Sequence, residues 1–157
     1  MGDEIASLKN YIEVNLDESS SLWELVIRPD IIDIISSLNQ IESKKFSTEI
    51  LSWNENILYR LADEILFSEN ECLDKDYLFC SIYLRTHDKE NLDYLSQYII
   101  PCYKHLNFEK ISLDFFLQVK EKMENFYIIK NGKENIEDFM KELNDVINEK
   151  MKKIENK

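Results

Sequence analysis

Glycine and proline are scarce, at two each in 157 residues. There is no glycine-rich cradle for phosphate, no serine elbow and no histidine pair flanking a helical glutamate. No segment approaches the run of about 18 apolar residues that a membrane span requires. The opening MGDEIASLKN lacks the basic and apolar regions of a signal peptide, and a myristoylation signal at Gly2 would want Ser or Thr where Ala6 stands. The expectation is a cytoplasmic protein. Three cysteines, Cys72, Cys80 and Cys102, make no disulfide framework and are expected to stay reduced. With only two histidines, His87 and His105, the chain offers little to general acid–base or nucleophilic chemistry.

Positive charge is also short, and unevenly so. Residues 1–100 hold 20 acids against 8 bases, whereas residues 101–157 hold 11 of each. The whole net charge of −12 therefore lies in the first two-thirds. Direct nucleic-acid binding is disfavoured, because phosphate contacts need clustered cations. An acidic field instead speeds encounter with a basic protein.

Apolar mass is present, at 44% of the composition. That is enough for one folded domain spanning 1–157 with a hydrophobic core. Its periodicity is helical almost throughout. Ile5, Leu8, Tyr11 or Ile12, and Leu16 recur at helical spacing, and Ser21 with Glu24 reads as a capping box for LWELVI. Pro29 can open the next helix, with Ile31, Ile32, Ile35 and Leu38 on its inner side. SKKFS reads as a break, followed by a helix from about Ser47 to Phe67. Ile50, Trp53 or Asn54, Ile57 or Leu58, Leu61 and Ile65 mark its inner stripe, which leaves Asp63 outside.

SENECLDKD, residues 68–76, should end that helix, and another should cover about 76–86. Asp88 caps the next, which Pro101 should stop. Asn107 should cap a helix over about 108–129, and Gly132 should close it in KNG. A final helix carries Ile136, Met140, Leu143, Ile147, Met151 and Ile154 as one stripe. The expected fold is all-α: a single-domain multi-helix bundle or short array of antiparallel helices. Short linkers between residues 47 and 99 give it a resemblance to HEAT-like stacking.

Metal chemistry has little behind it. SENECLDKD carries carboxylates at Glu69, Glu71, Asp74 and Asp76 but no glycine at the bend, so it is a poor calcium loop. Cys102 and His105 have the spacing of a zinc pair without the rest of a zinc motif. No cofactor is expected.

The acidic residues make better sense as a binding surface. Asn56, Tyr59 and Asp63 can share one outer face that leads into Glu69, Glu71, Asp74 and Asp76. Farther on, Asn91, Tyr94 and Tyr98 form a stripe beside the inward Leu92, Leu95 and Ile99. Tyrosine contributes large contact area at small entropic cost, and carboxylates can meet Arg or Lys of a partner. Reversing Glu71 and Asp74 should then weaken association without unfolding the chain.

In its size, acidity and helical style, and in a Lys, Asn and Ile bias suited to an AT-rich bacterial genome, the chain resembles bacterial toxin-immunity proteins. The resemblance implies a stoichiometric inhibitor that covers the basic site of a cognate toxin, for example a nuclease. Asp63, Glu71, Asp74 and Asp76 would face that toxin's cationic site. The competing readings are a helical adaptor using Phe115, Phe116, Phe126 and Tyr127, and a homo-oligomeric module sealed by the last helix.

Overall fold

The computed structural model describes residues 4–155. The expectation that fell on Gly2 lies outside them. The chain is all-α, as its periodicity predicts, with helices and short turns of 3-10 or π type among the described residues. It divides into two compact units, Met1–His87 and Asp88–Lys157.

In the first unit, α1 (Glu4–Val14) buries Ile5, Leu8 and Ile12. Next comes one continuous helical run: α2 (Ser20–Leu22), a π-helical stretch (Trp23–Ile27) and α3 (Arg28–Ser37). Ser19 caps this run by accepting from the Leu22 amide, so the expected Ser21–Glu24 box does not form. The buried residues Trp23, Ile27, Ile31 and Ile35 recur every four positions. Strict spacing of four drifts by about 40° per step in an α-helix. The wider π turn offsets one such step and keeps the four on one side.

α4 (Gln40–Glu49) runs through SKKFS, which is no break. Asn39 and Glu42 form a reciprocal capping box, and the buried Phe46 ties the middle of the helix to the core. The break falls later, at a 3-10 turn over Ile50–Ser52. Trp53 is consequently a half-exposed capping residue rather than part of an inner stripe. Asn54 then caps α5 (Glu55–Phe67) by accepting from the Asn56 amide. α5 packs against α1, α3 and α6 (Lys75–Arg85), and with neighbours on so many sides it buries much more than one narrow stripe. α6 contributes Leu78, Phe79, Ile82 and Tyr83 to this core.

The second unit starts at α7 (Lys89–Lys104), capped by Asp88. Pro101 lies inside α7 and does not end it. The carbonyl that a proline there leaves without its helical donor belongs to Gln97, and both residues are exposed, so water can serve it. Cys102 and Tyr103, directly after the proline, are buried and hold the last turn in place. Asn107 caps only a turn, accepting from the Glu109 and Lys110 amides. Ser112 caps α8 (Leu113–Asn131), and Gly132 closes it with a positive φ of 83°.

α9 (Glu137–Glu155) buries Ile136 just before its start, then Leu143, Val146 and Lys150. Its inner face is thus rotated from the stripe expected in the sequence. Met151 and Ile154 lie outside, and the Lys150 ammonium donates to the Phe108 carbonyl above the Phe116 ring. An amphipathic lysine stem covers core surface there that an aliphatic residue was expected to cover.

Candidate functional site

The acidic connection 68–74 is pinned rather than loose. Asn70 is buried, and its amide donates to the Ile35 carbonyl at 2.9 Å, the Leu38 carbonyl at 3.3 Å and Ser43 Oγ at 2.8 Å. Its side-chain oxygen accepts from the Cys72 amide at 2.8 Å. The Lys75 ammonium donates to the Ser68 carbonyl, and the Glu69 amide donates to Ser36 Oγ. The side chains of Glu69 and Glu71, held on this fixed backbone, are exposed. Asp74 is exposed too, yet it caps α6 by accepting from the Tyr77 amide at 3.2 Å. Reversing its charge would therefore disturb α6 as well as any partner contact, contrary to the expectation that Asp74 can be reversed without structural cost. Asp76 is half-buried in the first turn of α6.

Asn56 is exposed in the first turn of α5, and Tyr59 is half-buried beside Arg60. Asp63 is not on an outer face. It is 1% exposed, and Arg28 Nη2 approaches Asp63 Oδ2 at 3.4 Å. The same guanidinium reaches Glu64 Oε1 through Nε at 3.5 Å and Glu24 Oε1 through Nη1 at 3.4 Å, and it lies over the Phe67 ring. Burial raises the Glu64 carboxyl well above the ordinary range, and the neighbouring Asp63 raises it further; Arg28 opposes the shift without cancelling it. The one guanidinium thus serves three carboxyl groups, two of them buried.

The signal for this cluster was present in the sequence. Arg28 is the single base between residues 10 and 43. A lone guanidinium among seven acids is the available counter-ion for a carboxylate drawn into the core.

Asn91, Tyr94 and Tyr98 belong to the second unit. Tyr94 is exposed at 37%, while Asn91 and Tyr98 are half-buried beside the buried Leu92, Leu95 and Ile99. Of the aromatics open to an adaptor reading, Phe116 is buried and stacked on Phe108 at 5.4 Å. Tyr127 donates to the Ser96 carbonyl and lies against Phe139, with burial raising its hydroxyl above the usual range. These are packing roles. The second unit also has an open groove of about 600 Å³ near Ile128, Ile136 and Met140, rimmed by Glu124, Lys133 and Lys141.

Among the described residues there is no group of three or more His, Cys, Asp or Glu placed to hold a metal ion. Cys102 is buried and His105 is the exposed cap of α7, and the three cysteines form no disulfide among the described residues. None of the described helices is long and apolar enough to cross a membrane.

The net charge divides with the units. Residues 1–87 hold 17 acids against 7 bases, and residues 88–157 hold 14 against 12. Comparison of the chain with protein-family models, curated proteins and solved structures gives no match.

Proposed function

We propose that the protein acts without turnover, by covering a basic surface of another protein with its first unit. The observation that carries this reading is the fixed display of Glu69 and Glu71 on a backbone locked by Asn70, within a unit of net charge −10. Pinning the backbone removes the cost of ordering the connection itself, so that only the Glu side chains lose rotamer freedom when they meet Arg or Lys. A toxin with a cationic substrate site is the partner class implied by the resemblance to immunity proteins, and occlusion of that site is the corresponding mechanism. Asp63 plays no direct part: it holds Arg28, and through it α3, against α5.

The test uses the full chain as bait in an extract of the source cells, beside a Glu69→Lys/Glu71→Lys bait. Both side chains are exposed, so the variant should keep the helical circular dichroism and melting temperature of the parent. The expected result is one basic protein retained by the parent and lost from the variant. Equal retention by both baits would contradict the reading.

A second reading, self-association, is favoured by the exposed Met151 and Ile154 on α9. A dimer abolished by Met151→Ser/Ile154→Ser would support it.

A further inference from the structure

The run from Ser20 to Ser37 is apolar on two sides. Trp23, Ile27, Ile31 and Ile35 fill the core. On the opposite side, Leu22, Leu25, Val26 and Pro29 follow one another at helical spacing. Leu25 is 78% exposed, Val26 46% and Leu22 37%, and Pro29 is exposed beside them. Scattered exposed aliphatics need no explanation, but four on one outward stripe do. The stripe also includes the π-helical stretch, a backbone feature that recurs at functional sites.

The surroundings of the stripe say what would cover it. Asp17 and Glu18 are exposed before it, and Asp30 and Asp33 are exposed at its far end. Glu24 lies on the flank, tied to Arg28. Between residues 10 and 43 there are seven acids, and the one base is already committed to Glu24, Asp63 and Glu64. An apolar strip rimmed by acids complements a helix with an apolar face and Lys or Arg along its edges.

We infer that the Leu22–Leu25–Val26–Pro29 stripe is the docking face for a basic amphipathic helix of a partner protein. This rests on the reading that the first unit binds a basic partner, and it assigns that partner an apolar contact on this stripe. The aliphatic side chains supply the dehydrated middle, and the acids set the orientation and the encounter rate. The outer face of α9 and the groove near Met140 are weaker candidates, because their neighbouring charges are of both signs.

The probe is a labelled Leu/Lys amphipathic peptide of about 18 residues, or about five helical turns. A peptide of the same composition, scrambled to have no apolar face, is the control. Fluorescence anisotropy is read on the full chain, on Leu25→Ser/Val26→Ser and on Glu69→Lys/Glu71→Lys. The stripe residues are exposed, so the first variant should melt with the parent.

The expected result is binding of the amphipathic peptide, at least about ten-fold weaker for the scrambled peptide and for Leu25→Ser/Val26→Ser. The variant at 69 and 71 should bind within about three-fold of the parent. Equal binding of both peptides, or binding indifferent to Leu25→Ser/Val26→Ser, overturns the inference. If that indifferent binding is lost at Glu69→Lys/Glu71→Lys, the broader reading of an acidic binding unit survives while this one falls. No binding at any salt concentration overturns the inference, as does a dimer of the parent that Leu25→Ser/Val26→Ser dissolves. In that last case a second copy covers the stripe.

Discussion

Arg28 is the residue on which the first unit depends most. Its guanidinium is the described cation within 4 Å of the buried Asp63 and Glu64, and the Phe67 ring covers it. Arg28→Met should cost about 3–5 kcal/mol in urea unfolding, because Asp63 would remain buried without its counter-ion. Adding Asp63→Leu should recover most of that loss; a further loss from the second substitution would show that the pair is not the reason. Glu64 adds a pH dependence. Its carboxyl is raised in the folded protein, so the folded state holds a proton that the unfolded chain releases. Stability is then fullest below the ordinary carboxylate range and falls as pH rises above it. Denaturant midpoints should drop from about pH 5 up to about pH 9, where the folded carboxyl itself titrates, and Glu64→Gln should flatten that profile. A parent profile as flat as that of the variant would contradict the assignment. None of this was legible from residue spacing, because a single stripe was read on α5 where three packed neighbours bury a broad face.

At the scale of elements, the signals that held were those with a local cause. Asp88 as a cap and Gly132 as the close of α8 each follow from chemistry within one turn. The boundaries that moved were set by packing or by a competing cap. Asn39 outdoes the apparent break at SKKFS, and buried Tyr103 carries α7 past Pro101. SENECLDKD serves two ends at this scale. Part of its polarity is structural, in Asn70 and Asp74, and part is displayed, in Glu69 and Glu71. Asn70→Ala should remove the donor to Ser43 Oγ and one of two donors to each of the Ile35 and Leu38 carbonyls, costing about 1 kcal/mol. Amide exchange should accelerate first in residues 68–74. Unaltered protection there would mean that the connection is held by something other than Asn70.

At the scale of the molecule, the distribution of charge is the feature that bears most on function. The first unit carries nearly the whole negative excess, and it holds one base to seven acids across residues 10–43. Composition made this asymmetry legible. The apolar centre within it was not, because Leu22, Leu25 and Val26 look like core residues until the structure turns them outward. Of the residues expected to form one surface, Asn56, Glu69, Glu71 and Asp74 remain exposed in the first unit. Asp63 leaves that set, and Asn91, Tyr94 and Tyr98 fall in the second unit.

The most direct measurement is the affinity of the isolated partner for the parent and for Glu69→Lys/Glu71→Lys, by calorimetry at about 50 mM and about 500 mM salt. The account predicts that affinity for the parent falls with salt, and that charge reversal weakens binding at low salt by more than about ten-fold while the fold is kept. An affinity that ignores both salt and charge reversal, in variants that melt with the parent, would contradict it.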